Sequence, residues 1–396
     1  MVFYLALTTL ALIVLVRRNF EWAPFLSRNW PVLLFYLYLL VSVLWADSAL
    51  ISFKRWFKET GNIFVLMVIL TEKNPRQAFR AVFVRCSYLL FPLSIVFLRY
   101  FPLLGRRYNI HSGELQVIGV TDQKNSLGAM TLICVLVMTW DLLENKWMIR
   151  RKRDRIGSLL KFGILILGVY LLHLSDSATS MVGLALGGGI LAATRFPFLK
   201  NCISNVGVWG LGVVVLLILS DAFFGLREFV ITSLGRNVTL TGRTDIWREL
   251  LLMDINPLIG TGFYSFWSDP YYLSQLPQWM PFSAHNGYLE IYIDGGGIGV
   301  FFLIVFLVVT AVRIQRDMES GTTYSFVRYA ALVVAVVANF SESNFARMTP
   351  IGFLLIFAAI EGLKRQHLHL SDPMHDQGSV RREPKEIATR FPSALL

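Results

Sequence analysis

The sequence predicts an all-α integral membrane protein of about eleven or twelve transmembrane helices, with one large connector on the non-cytoplasmic side. Three observations carry that expectation. Charged residues make up only 16% of the 396-residue chain and hydrophobic ones 55%, whereas about a quarter of a soluble domain is charged. Mean hydropathy is +0.56. The apolar residues also fall in long blocks, of which 31–45, 202–220 and 295–312 hold no Asp, Glu, Lys, Arg or His. A hydrocarbon core about 30 Å thick takes roughly 20 apolar helical residues to cross, and every backbone polar group inside it must be satisfied within the segment or a closed barrel. The dyad alternation of barrel strands is missing, so helices are expected.

The spans fall near 2–16, 31–45, 58–71, 81–98, 127–144, 157–174, 178–194, 202–220, 287–312, 326–341 and 349–363. Their orientation follows from positive charge, which concentrates in cytoplasmic connectors. The run K-W-M-I-R-R-K-R-D-R at 146–155 and the tail from Lys364 are both basic and are expected inside. Alternation then puts 46–57, 99–126, 175–177, 221–286 and 342–348 outside, with Lys54 and Arg55 running against the rule. The abrupt start leaves room for one more helix, which would make the count twelve. The net charge of +11 is thereby a property of membrane connectors, and no nucleic-acid partner is implied. Residues 1–363 form one polytopic membrane domain, and the polar, aperiodic 364–396 is expected to be a disordered cytoplasmic tail. Cys86, Cys134 and Cys202 lie within or beside apolar runs and read as core residues.

Residues 221–286 are the longest connector, and a long loop is uncommon unless it is functional. An interfacial amphipathic segment is expected at 222–234. A helix capped by Thr244 is expected over 245–253, ended by Asn256-Pro257. The aromatic-rich 260–281 is expected to rest at head-group level.

Four constellations carry chemistry. In T-G-R-T-D-I-W at 241–247, Arg243 precedes a helix start, where free N–H groups and a guanidinium fork suit a phosphate. Pairing with Asp245 or with lipid head groups is the plainer alternative. In S-A-H-N-G-Y-L-E-I-Y-I-D-G-G-G at 283–297, His285 stands where the loop re-enters the membrane. It is placed either as a general base or as a cap. Glu290 and Asp294 share one helix face and mark a cavity or relay, and the glycines 295–297 permit close helix packing. T-D-Q-K-N-S-L-G at 121–128, with Arg106 and Arg107, brings more cations to the outer face. There they serve a ligand, lipid phosphate or solvent. The turn L-S-D-S-A-T-S at 174–180 offers hydroxyls to a glycan or to helix ends. No nucleotide-binding or metal-site motif occurs, and no cofactor is expected.

Taken in order, K-N-x-L-G (124–128), S-x-S (175–177), G-R-x-x-x-W (242–247), G-x-G-x-x-x-F (260–266) and H-N-x-Y-L-E (285–290) resemble the O-antigen ligase / O-antigen polymerase superfamily of bacterial envelope glycosyltransferases. The resemblance spans about residues 30–363. It implies a GT-C-like helical architecture in the inner membrane, a periplasmic active face and metal-independent transfer of a glycan from undecaprenyl diphosphate to an acceptor glycan hydroxyl. Carried over by position, Arg243 binds the diphosphate and His285 orients or deprotonates the acceptor. Lys124 adds a phosphate contact, and Asn125, Arg106, Arg107, Asp245, Asn286, Glu290 and Ser177 complete the substrate-binding set. Membrane lipids and other polysaccharide assembly proteins are the remaining implied partners. The family's ligases often carry a basic residue just after the S-x-S turn, where this chain has Ala178. That departure favours the exopolysaccharide polymerase branch over transfer to lipid A-core. A transporter is disfavoured because no internal repeat is visible and the polar residues gather at one face.

Overall fold

A computed structural model describes residues 2–18, 20–108, 113–144, 152–224, 243–277, 279–280, 282–319 and 321–362. The basic run around 146–151, most of the expected amphipathic segment 222–234 and the tail 364–396 lie outside the described residues. A helix occupies each expected span position, with shifted ends. The apolar helices mark a multi-pass membrane protein. Four of them are long and apolar enough to cross a membrane alone, or up to six if each bent pair counts as one span.

Helix α1 (Val2–Arg17) packs on α5 (Gly61–Leu70). Helices α2 (Trp22–Arg28) and α3 (Trp30–Val41) meet at 89°. Buried Asn29 fills that break by donating to the Phe25 and Glu361 carbonyls and accepting from Glu361 N–H. A 3-10 turn (Ser42–Trp45) follows, and then α4 (Ala49–Glu59), which occupies most of the connector expected at 46–57. The span expected at 58–71 is therefore α5 alone. Its neighbour α4 ends at Glu59, a buried carboxylate that accepts from the Met348 N–H across the fold.

Helix α6 (Pro75–Tyr100) starts with Asn74 capping the Gln77 N–H and Pro75 at its first position, a favoured pairing at helix starts. After α7 (Pro102–Gly105), strands β1 (Arg106–Tyr108) and β2 (Leu115–Val117) pair antiparallel within the connector 99–126. Helix α8 (Lys124–Glu144) is the axis of the bundle. Its apolar window is 67% buried inside the protein, against 22% and 17% for α6 and α9 (Lys152–Leu174), so those two face outward. Helix α10 (Ala178–Ala193) packs against α8 at Gly183 and Gly187, where an added Cβ would meet Leu132 and Leu136 at 3.0 Å. Helix α11 (Pro197–Phe224) turns away from α10 at 115° over its first residues.

The connector that follows α11 has a core of its own. Helix α12 (Arg243–Leu252) begins two residues before the expected 245, so Thr244 sits in its first turn and not at its cap. Ile246, Leu250, Ile255, Phe266, Trp267, Met280 and Ala284 cluster against Ile293, beside the short α13 (Pro270–Gln275). The aromatic stretch thus divides. Phe263 and Phe266 are fully buried, while Tyr271, Trp279 and Phe282 are exposed.

Helix α14 (Gly287–Glu319) breaks at Gly296 (φ 62°, ψ −161°). Connector backbone enters the break: Gly297 and Ile298 N–H donate to the Pro257 and Leu258 carbonyls, while Thr261 and Gly262 N–H donate to those of Ile293 and Asp294. Only glycine populates that conformation, and a Cβ at Gly296 would lie 2.3 Å from the Leu258 backbone. The glycine run therefore does more than allow helix packing. Gly295 admits Tyr38 of α3, whereas Gly296 and Gly297 dock the connector. Helices α15 (Thr323–Ala338) and α16 (Pro350–Ala359) close the bundle, both almost wholly buried.

Candidate functional site

Four helix starts border the segment Ser341–Ser343. Asn125, second residue of α8, donates to Glu342 Oε1 at 2.7 Å. Thr179, second in α10, shares a 2.6 Å hydroxyl contact with Ser341. Arg243, first in α12, donates from Nη2 to Glu342 Oε1 at 3.2 Å, and the Asn286 N–H before α14 donates to Ser343 Oγ at 3.2 Å. Helix starts carry partial positive charge, although the first N–H groups of α14 are already paired with Asn339 and Asn286. Together with Arg243 and Lys124 the helix starts make this part of the surface favourable for an anion.

His285 completes the group. Its Nδ1 stands 3.6 Å from Glu342 Oε2, is buried and makes no hydrogen bond. The side chain as a whole is 31% exposed, so part of the ring remains accessible. The residue sits at φ 48°, a left-handed conformation that costs a non-glycine residue about 1–2 kcal/mol. Its neighbours hold it there. Trp247, one turn after Arg243 on the same face of α12, donates to the Ala284 carbonyl at 2.9 Å. Glu290 Oε2 accepts the Ala284 N–H at 3.1 Å.

Each sequence motif acquires a local reason. Gly128 lets the α10 turn approach, since a Cβ there would lie 2.6 Å from Ser177. Ser177 is buried and donates to Ser180. Asn286 caps α14 by accepting from the Tyr288 and Leu289 N–H groups. Gly287 has no room for a Cβ beside Asn339 and donates its N–H to the Asn339 carbonyl at 2.7 Å. Lys124 pairs at 3.5 Å with Asp176, a largely exposed carboxylate. Asp245 faces solvent within 4.0 Å of Arg248. Arg106 and Arg107 are exposed on β1, with Arg106 donating to the Leu98 carbonyl. Among the expected site residues, then, the structure brings Arg243, His285, Asn125 and the Asn286 backbone onto one short segment. Arg106 and Asp245 instead contact Leu98 and Arg248, respectively.

Two residues escaped the sequence reading. Glu342 is the acceptor on which the group converges. Arg347 sits deeper, donating to Asp294 at 2.9 Å and Glu290 at 3.3 Å, with its guanidinium 3.7 Å from the centre of the Tyr264 ring. Burial works against its charge, but Tyr264, Asp294, Glu290 and Glu59 more than offset that and raise its pKa above the ordinary arginine value. The available signal was the connector itself: N-F-S-E-S-N-F-A-R at 339–347 packs four amide or charged residues between the apolar runs 329–338 and 350–359. Among the described residues no cluster of three or more His, Cys, Asp or Glu side chains is set to hold a metal ion.

A bundle of apolar helices in which an arginine and a histidine meet one glutamate near several helix starts defines a multi-pass membrane protein with a polar cluster at one set of connectors. The model of the O-antigen ligase family matches residues 163–304, a stretch that includes Arg243 and His285 but ends before Glu342. Exopolysaccharide production protein ExoQ of Rhizobium meliloti (strain 1021) is 22% identical over 342 residues, 82% of this chain and 75% of the relative. These matches support a similarity to the O-antigen ligase / O-antigen polymerase superfamily, near its exopolysaccharide branch.

Proposed function

We propose that the protein is an inner-membrane polysaccharide polymerase that transfers glycan repeat units from undecaprenyl diphosphate to an acceptor glycan hydroxyl at the periplasmic face. The observation that carries this reading is the meeting of Arg243 and His285 on Glu342, among four helix starts. Arg243, aided by Asn125 and Lys124, holds the diphosphate. Electrostatic stabilisation of that leaving group is the largest catalytic term, as preorganised donors act strongly where water is partly excluded. His285 takes the acceptor proton. The acceptor oxygen then bonds to the anomeric carbon, and the electron pair of the broken C–O bond leaves on the diphosphate.

In this reading the bundle crosses the membrane eleven or twelve times. Residues 221–286 face the periplasm, and the tail is cytoplasmic. The test is reconstitution with a defined undecaprenyl-diphosphate oligosaccharide. Wild-type protein lengthens the glycan, and Arg243→Ala and His285→Ala each abolish lengthening at normal protein level. Wild-type-length polymer from either variant would remove that residue from the mechanism. The similarity to the O-antigen ligase family favours a second reading, transfer of the finished glycan to lipid A-core or another acceptor. A deletion strain separates the two: single lipid-linked repeat units accumulate without a polymerase, unattached full-length chains without a ligase.

A further inference from the structure

Glu342 reaches both halves of the site with different oxygens. Oε1 accepts from Asn125 at 2.7 Å and from Arg243 at 3.2 Å, while Oε2 stops 3.6 Å short of His285 Nδ1. That separation is too long for a hydrogen bond. A buried ring nitrogen is thus aimed at a carboxylate that is held elsewhere. The other nearby charges cannot take over the holding role. Lys124 is paired with Asp176 at the rim, and Arg347 is committed to Glu290 and Asp294 below.

Building on the proposed reaction, we infer that Glu342 is a positioning residue that couples donor binding to the base. In the empty site its carboxylate stands where a donor phosphate binds, neutralising Arg243. A diphosphate carries more charge and fits the guanidinium fork with two oxygens, so it displaces the carboxylate. Two anions cannot share one half-buried guanidinium without repulsion. The displaced carboxylate has an unsatisfied donor within reach, and a shift of about 0.8 Å brings Oε2 to hydrogen-bonding distance of Nδ1. The Nδ1–H then donates to Glu342, which fixes the tautomer and leaves the Nε2 lone pair free. When the acceptor hydroxyl gives its proton to Nε2, the imidazolium forms beside a carboxylate already in place. The base is therefore set only after the donor has arrived, and binding is ordered, donor first.

The experiment uses the full-length protein in lipid nanodiscs. Undecaprenyl diphosphate serves as the binding probe and the lipid-linked oligosaccharide as substrate. Glu342→Gln is expected to bind undecaprenyl diphosphate at least as tightly as wild type, because the internal competitor is gone, whereas Arg243→Ala binds about tenfold more weakly or worse. Turnover by Glu342→Gln is expected to drop about a hundredfold or more with donor KM unchanged or lower, the pattern of a lost ground-state competitor. Glu342→Asp keeps the charge and is expected to recover part of the turnover. Weakened binding in Glu342→Gln matching that of Arg243→Ala, or wild-type kcat in Glu342→Gln, would overturn the coupling. So would equal loss of binding and of melting temperature in both Glu342 variants, which marks a purely structural carboxylate. Failure of the underlying functional reading looks different, since wild-type protein would then neither bind nor extend the lipid-linked glycan.

Discussion

Arg347 and Arg243 both meet carboxylates in or beside the connector 339–349, but their surroundings differ. Arg347, Glu290 and Asp294 are at most 6% exposed. Among the described residues none of their side-chain polar atoms is both buried and without a partner. Trp267, the Ser343 hydroxyl and the Ala284 and Tyr264 N–H groups also donate to the two carboxylates. Arg243 and Glu342 are each 20% exposed, His285 is 31% exposed, and Nδ1 of His285 is left unpaired. One group is saturated and dry; the other is half open and one hydrogen bond short. A saturated network fixes geometry, while an unsaturated one at the surface has capacity left for a ligand. The lower group therefore supports the upper one. Glu290 joins them, bonding Arg347 on one side and the backbone ahead of His285 on the other.

The largest expected effect breaks the lower group. Arg347→Met strands two buried carboxylates, and removing one partner of a buried pair costs about 3–5 kcal/mol. Thermal melting of the detergent-purified protein should show the loss, with aggregation in mild heat. Arg243→Met exposes no comparable charge and is expected to stay within about 1 kcal/mol of wild type, the range of partly solvated pairs. If the two variants melt alike, the contrast between the groups is wrong.

Replacing His285 probes the upper group. His285→Ala is expected to lower turnover by about 10²–10⁴, the usual contribution of a general base, without lowering stability. His285→Gly sharpens the point. The position lies at φ 48°, so glycine relieves about 1–2 kcal/mol of left-handed strain, and the variant should be inactive yet melt no lower than wild type. A variant that is both inactive and less stable would make His285 a structural residue.

These residues also show what could be read from the chain alone. Every expected span holds a helix because uninterrupted apolar runs are a local signal. Arg243 and His285 were legible too, one at a helix start and the other in a dense motif. Glu342 and Arg347 were not, because their partners are remote: Asn125 lies 217 residues from Glu342 and Glu290 lies 57 from Arg347. No spacing rule reports such contacts. Ser177 and Asn286, expected in the substrate-binding set, also have local structural partners, Ser177 against Gly128 and Asn286 at the α14 cap. A polar residue at a helix start satisfies the cap and the ligand pattern equally well in sequence. The break in α14 was hidden for a related reason. Glycine permits both close packing and unusual dihedrals, and only the Pro257–Gly262 backbone lying in the gap decides between them.

That break supplies the next test. Gly296→Ala forces a Cβ onto the Leu258 backbone in a conformation alanine avoids, at a cost of about 1–3 kcal/mol. The substitution lies on neither charged group. It should loosen the connector from α14 and so disturb the position of His285 relative to Arg243. Limited proteolysis within residues 243–286 should speed up, and turnover should fall more than melting temperature does. Unchanged proteolysis would mean that the connector is held by its own aromatic core and not by the break.

The smallest effect belongs to the rim. Lys124 meets Asp176 at 3.5 Å, and Asp176 is 87% exposed, so the pair itself is worth about 0–1 kcal/mol. Two roles for Lys124 then separate cleanly. A lysine that only pairs with Asp176 makes Lys124→Ala and Asp176→Ala equivalent, each within assay error of wild type. A lysine that contacts donor phosphate makes them opposite. Lys124→Ala raises donor KM several-fold at low salt and less at high salt, because an exposed cation is screened. Asp176→Ala frees the ammonium and lowers KM slightly. Measuring both variants at two ionic strengths decides whether the open, undersatisfied group extends to the rim or ends at Asn125.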